Sequence, residues 1–348
     1  MYFQQSRDQR MLLFLFSCHF TTRSSIEIFI RGAHELRVEE GEIKKRAESE
    51  SWLWEQARIG VHELEIHAQG CEPYTVPVEL KQEASSETTI DRLELDVQCQ
   101  KQDDGVSFSW FAPGIYTLGS SEGDEDLHDV ELTKPLWVMQ REVDQELYSR
   151  IMSFNPAERD QYECSRVGNK APPTPDHPVY CISWFEALEF ANAWSEKLGY
   201  KPCYVVLTQT AHINPQCNGF RLPTESEWEA FASVGLKQID DLERFAWIKS
   251  NSQESTHSVG QKEPNGLGLY DVLGNVWEWT WDRYGDYPST LTKDPQGASA
   301  GGLRVMRGGT WAKDETKARI SDRANFHPVY RMDVTGVRLV QSVVQDEQ

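Results

Sequence analysis

NGLGLYDVLGNVWEW, Asn265 to Trp279, holds three glycines and two tryptophans and follows neither a two-residue nor a 3.6-residue hydrophobic period. Such a segment reads as loop rather than ladder. Its glycines suit positive φ or close backbone approach, and its tryptophans need a core to enter. The same texture extends on both sides. Upstream lie Gly119-Ser120, PVYCISW (Pro178 to Trp184) and GFRLPTESEWEA (Gly219 to Ala230); downstream lie RVMRGGTW (Arg304 to Trp311) and GVR (Gly336 to Arg338). Gly308 and Gly309 join Gly266, Gly268 and Gly274 as positions of this kind. None forms a phosphate loop, because the chain has no GxxxxGKS/T and no strand-GxGxxG-helix context.

A few helices are predicted between these blocks by their caps. Ser183 and Glu186 can form a reciprocal capping box, with Trp184, Ala187, Leu188, Ala191, Trp194 and Leu198 on one face and Gly199 as the stop. Thr224 and Glu227 repeat the box ahead of Trp228 to Ala232, and Asp144 starts a shorter helix over Gln145 to Met152. The acidic run Glu122, Asp124, Glu125, Asp126 and Asp129 reads as a solvated loop.

The N-terminal part differs. IEIFI (26–30), HELEIH (62–67), YTVPVEL (74–80) and LELDV (93–97) alternate with period two between Gly60, Gly70 and a polar 81–89 stretch, which predicts a small antiparallel β-sandwich over 21–100. Two units agree with 348 residues at roughly 150 residues per domain. A formal charge of −20 repels a phosphate backbone, so nucleic acid is excluded as the main partner. No run of 18 apolar residues occurs, so no ordinary transmembrane span is expected. Arg7 and Arg10 precede an apolar stretch, Met11 to Phe20, that has the look of a short signal core, but Phe16 stands where a small residue is wanted before Cys18. Residues 1–20 are therefore read as a signal-like or disordered segment. The compartment stays open, weighted toward the cytoplasm, with export or a lipoprotein as the other reading. Seven cysteines without a CxxC pair (18, 71, 99, 164, 181, 203, 217) read mostly as small core residues.

Taken together and in this order, the blocks resemble the sulfatase-modifying-factor superfamily, which includes the formylglycine-generating enzyme, over residues 108–343. The resemblance implies an α+β chain with a large, irregular C-type-lectin-like domain. Val337 replaces the aromatic of the family's closing Gly-aromatic-Arg. Gly60 to Tyr74 is similar to PEGA-type modules, with Gly70-Cys71 in place of their usual Gly-Tyr; such modules act as spacers.

Loop backbone still needs partners in a fold with little ladder, and Arg forks can supply them from inside. Arg221, Arg307, Arg319, Arg323 and Arg338, facing Glu227, Asp271, Glu278 and Asp282, are expected to form such a buried network. Asn275 and Glu278, helped by the carbonyls of Leu273 and Val276, offer hard oxygen ligands for a structural Ca²⁺, which family members place around the matching Asn-x-x-Glu.

The family's oxidase binds copper(I) through two thiols shortly after the Gly-Gly-Ser/Thr-aromatic block, and the matching positions here are Lys313 and Ala318. No cysteine follows Cys217, so copper is not expected. The family's iron-dependent sulfoxide synthases take histidines from an N-terminal helical bundle, whereas His62 and His67 sit in strand-patterned sequence. The resulting expectation is a non-oxidase binding member that presents residues 312–335 to a protein or small ligand, through Lys313, Asp314, Glu315, Lys317, Asn325, Phe326, His327, Tyr330 and Arg331. The alternative is a formylglycine-generating-type oxidase, or another metal-dependent oxygenase, acting on protein cysteine.

Overall fold

A computed structural model describes residues 24–31, 33–38, 42–45, 51–57, 60–68, 74–80 and 91–96, then 100–343 except 121–125, 161 and 237–240. The signal-like segment 1–20, the acidic residues Glu122, Asp124 and Glu125, and Cys18, Cys71 and Cys99 lie outside the described residues. Contacts divide the chain into two units, Met1–Val97 and Gln98–Gln348.

The alternating runs of the first unit are strands in two sheets. One has the order Glu42–Lys45, Ser51–Ala57, Ser24–Arg31, Asp91–Asp96; the other has Ala33–Val38, Gly60–Ala68, Tyr74–Leu80. In Gly60–Ala68, Leu64 and Ile66 are buried while Glu63 is exposed, the period-two signature of a sheet with one covered face. Pairing is antiparallel except at one edge, where Ser24–Arg31 and Asp91–Asp96 run parallel. A parallel pair needs a long crossover, and the chain between these two strands contains the whole second sheet.

The second unit begins ahead of residue 108. Gln100–Asp103 pairs with Val106–Phe111 through Asp104 and Gly105, both at positive φ, as a two-residue hairpin turn of this hand requires. A five-stranded sheet, ordered Phe220–Arg221, Val340–Ser342, Leu136–Met139, Val106–Phe111, Gln100–Asp103, ties the start of the unit to its end. A second, four-stranded sheet has the order Arg323–Phe326, Arg304–Arg307, Trp277–Arg283, Thr335–Gly336. Three helices accompany them: α1 (Gln145–Met152), α2 (Trp184–Lys197) and α3 (Glu225–Ala232). Both capping boxes form as read from the sequence, and Asp144 accepts from the Leu147 amide at 2.7 Å. On α2, Trp184, Ala187, Leu188, Ala191 and Trp194 are buried while Leu198 is half-buried, because it is already the cap residue.

Tryptophans fill the core and also bond it. Trp184 Nε1 donates to the Thr280 carbonyl at 2.8 Å and Trp279 Nε1 to the Ile182 carbonyl at 3.2 Å, so α2 and the strand Trp277–Arg283 are tied in both directions. Asn265 caps α3 from a distant loop. Its Nδ2 donates to the Phe231 and Ala232 carbonyls, which a helix end leaves unpaired, and its Oδ1 accepts from the Leu267 and Leu269 amides. Gly274, at φ +79°, is obligatory: a Cβ there would lie 2.2 Å from the Trp247 carbonyl oxygen.

The cysteines depart from the sequence expectation. Cys164 bonds Cys181, with Cα atoms 5.4 Å apart, and Cys203 bonds Cys217, with Cα atoms 4.8 Å apart, so four cysteines are cross-links rather than free core residues. Cys203 and Cys217 flank the hairpin of Tyr204–Val206 with Ala211–Ile213, which brings them together.

Candidate functional site

The loop surface anticipated at 312–335 is carried by the four-stranded sheet. Trp277–Arg283 lies inside it, with Glu278 opposite Arg307 on one side and opposite Gly336 on the other; Arg304–Arg307 then pairs with the edge strand Arg323–Phe326. The chain from 308 to 322 leaves and re-enters this sheet, and buried charges hold it in place. Arg307, fully buried, binds Glu229 of α3 and donates to the carbonyls of Ile320, Ser321 and Asp322 at 3.0, 2.6 and 2.9 Å. One guanidinium thereby fixes three consecutive loop carbonyls. Arg323 forks onto Glu225 at 2.6 and 2.8 Å, and Arg221 onto Glu227 at 2.7 and 2.8 Å. Arg338 grips Glu278 at 2.8–3.1 Å and also donates to the Met139 and Tyr270 carbonyls.

Three members of the expected network differ. Arg319 is half-buried and works inside the loop, donating to the Thr316 carbonyl and to Asp322 rather than joining a buried cluster. Asp271 and Asp282 accept from backbone amides of Gly260 and Glu225, not from arginine forks. The acids that do take the forks include Glu225 and Glu229, one turn apart on α3. Their spacing inside a capped helix was the available signal.

The pair considered for Ca²⁺ is committed elsewhere. Both Glu278 oxygens accept from Arg338, and Trp228 Nε1 adds a further bond at 2.6 Å. Asn275 Oδ1 accepts from the His257 amide, and its Nδ2 donates to Glu142 at 2.7 Å. A cation at Glu278 would have to displace a buried guanidinium, so these donors, as arranged with the flanking Leu273 and Val276, do not fit the ion. Among the described residues no three His, Cys, Asp or Glu side chains converge as a metal site. Burial sets the protonation here. It pushes Glu142, which also faces Asp271 and Glu278, well above the ordinary carboxylate range, and lifts Asp271 to about 6.

The remaining surface residues fall into two groups. Lys313, Asp314, Glu315 and Lys317 are exposed on a turn whose Lys313 carbonyl accepts from the Lys249 amide; Lys317 reaches back to Asp322 at 3.0 Å. Phe326, His327 and Tyr330 form an aromatic cluster with ring centroids 5.3 Å (Phe326 to Tyr330) and 5.6 Å (His327 to Tyr330) apart, and Asn325 precedes it on the edge strand. Arg331 belongs to the frame instead, bonded to Glu186, which Arg159 also binds. Beneath this cluster, the Arg331 and Met332 carbonyls accept from the Ser165 and Cys181 amides, next to the Cys164–Cys181 bond. Asp333 gathers the amides of Val167, Gly168 and Asn169 at 2.7–3.1 Å. The disulfide and the acid thus staple the base of the aromatic cluster.

Residues 95–343 match the family model described as a sulfatase-modifying factor enzyme 1-like domain. The chain belongs to this family. Its fold is the mixed α+β, C-type-lectin-like fold of the formylglycine-generating enzyme. Among similar proteins, a chaperone protein LppX of Paenibacillus barcinonensis is 30% identical over 206 residues, covering 48% of this chain and 70% of that protein. The formylglycine-generating enzyme of Streptomyces coelicolor is 31% identical over 182 residues, covering 44% of this chain and 49% of the enzyme. This sulfatase-modifying-factor chain therefore spans about half the length of that curated enzyme. Among solved structures, Treponema denticola variable protein 1 is 30% identical with a TM-score of 0.62, covering 70% of this chain and 99% of that one. Among the described residues no helix is long and apolar enough to cross a membrane.

Proposed function

We propose that this sulfatase-modifying-factor protein is a binding member of its family rather than an oxidase, presenting the 312–335 surface to a protein or small ligand. The observation that carries the reading is the chemistry at the two positions that match the oxidase's copper thiols. Lys313 is exposed and Ala318 is buried against the core, and neither side chain is a soft ligand for copper(I). The four described cysteines are consumed in disulfides, which leaves no described thiol to substitute.

The two disulfides also support maturation in an oxidising compartment, against the slight preference for the cytoplasm drawn from the N-terminus. The ligand is met by the exposed Lys313, Asp314, Glu315 and Lys317 together with the exposed His327 and Tyr330 and the half-buried Phe326. Aromatic anchors beside adaptable polar groups are what recognition surfaces carry. Tyr330→Ala combined with Lys313→Glu tests it, because both side chains are exposed and their loss leaves the frame intact. The immobilised full chain is expected to retain a partner from its native source that the double variant fails to retain at an unchanged melting temperature. Equal retention by both would reject this surface.

A further inference from the structure

A cleft of about 650 Å³ opens in the second unit, walled by Thr117, Asp126, His128, Asp129, Tyr287 and Leu291. We propose that it binds an organic cation, an alkylammonium or guanidinium group on an apolar stem.

Three observations carry this. The charge of the wall is one-sided: Asp126 and Asp129 are exposed on it and no described lining residue is Lys or Arg. Two described cations act on Tyr287, Arg323 at 4.0 Å from its ring centre and the buried Arg307, and each is already held by a carboxylate: Arg323 by two hydrogen bonds to Glu225, Arg307 by its ion pair with Glu229. An anion would meet two carboxylates here, whereas the cations nearest the wall are already paired with Glu225 and Glu229.

His128 supplies the second observation. Its ring is stacked on Tyr287 with centroids 4.0 Å apart, and Nδ1 lies 2.9 Å from the Asp126 carbonyl. A carbonyl only accepts, so Nδ1 carries a proton, and in the neutral ring Nε2 is then the acceptor. Nε2 is buried and has no partner among the described residues, on a residue only 9% exposed. A wall with an unmet acceptor and two carboxylates asks for a donor-rich ligand, which ammonium and guanidinium groups are.

The third observation is the rim. Leu127 is 58% exposed and Leu291 54%, and both line the cleft without packing into the core. A methylene stem would cover them while its charged head met the carboxylates. Asp129 is already held in place, accepting from Thr117 at 2.7 Å, so the anionic side of the cleft is positioned before any ligand arrives.

The experiment is calorimetric titration of the full chain at physiological ionic strength with spermidine, with N-acetyl-arginine amide and with succinate. Saturable one-to-one binding of either cation and none of succinate is expected. Spermidine alone would assign a free polyamine, and the arginine amide alone a peptide side chain; either supports the site. Asp129→Asn and His128→Phe should each weaken binding about tenfold. Asp126→Asn, at an exposed position, covers the case in which His128→Phe does not fold. Glu196→Gln, which removes one exposed charge on α2, should change nothing. Absence of saturable binding, equal binding of succinate, or equal weakening by Glu196→Gln and Asp129→Asn would overturn the proposal.

Discussion

Glu186 closes the capping box of α2 through the Ser183 amide and also accepts from Arg159 and Arg331, joining a helix start to the base of the aromatic cluster. Burial alone would raise its pKa, but the hydrogen bonds from Arg331 and Arg159 prevail and hold it at about 2. The folded-state value is thus below the unfolded one. The stability this contributes is fully present above the unfolded carboxylate range and is lost as pH falls from roughly 4.5 through about 2. Glu186→Gln keeps the cap acceptor and loses the charge. Because Arg331 is 35% exposed and screened, it is expected to cost about 1–2 kcal/mol at neutral pH. Urea titrations at pH 7 and near pH 2 check this, and the difference between wild type and variant should shrink at the acid end. Arg338→Met is the harsher case. It leaves the buried Glu278, 1% exposed, without its cation, and should cost about 3–5 kcal/mol in the same titration. An unchanged midpoint would mean that the Arg338–Glu278 fork does not stabilise the fold.

At the scale of elements, the tight place is the loop and strand around Gly274. Gly274→Ala combines a left-handed φ with a Cβ driven into the Trp247 backbone, and should cost more than about 2 kcal/mol of unfolding free energy. The cross-links are a second element-scale device. Each closes a short loop, of separation 17 for Cys164–Cys181 and 14 for Cys203–Cys217, for which loop closure predicts about 3 kcal/mol. Thermal melts of Cys203→Ser with Cys217→Ser, against wild type with and without reductant, should show that loss. An identical melt in all cases would mean the pair is not bonded in solution.

These elements also mark what sequence can and cannot convey. Ser183–Glu186 and Thr224–Glu227 were legible because the partners are three residues apart and their bonds are local. The period-two strands of 21–100 were legible for the same reason, whereas the parallel edge of Ser24–Arg31 with Asp91–Asp96 depends on topology that no local pattern encodes. Arg323 and Glu225 are separated by 98 positions and Arg307 and Glu229 by 78, so the arginines were readable as network members but their acids were not. Arg331 and Asn275 illustrate the same limit. Their side-chain chemistry suits ligand or metal binding, but distant partners, Glu186 and Glu142, had already engaged them.

For the whole molecule, the family frame and the chemistry placed on it are separable. Among the described residues, the sulfatase-modifying-factor fold is assembled here from short strands, three α-helices and buried arginine forks, a frame that can carry different chemistry in different members. Whether the surface replaces the oxidase's chemistry turns on Lys313 and Ala318. The most direct measurement loads the purified full chain with copper(I), washes it, and supplies oxygen and a cysteine peptide of the kind a formylglycine-generating enzyme oxidises. Bound copper and formylglycine product are then quantified together. A binding protein predicts no stoichiometric copper and no product above a protein-free control. Stoichiometric copper with turnover of the peptide would contradict the account and make this chain an oxidase built on different ligands.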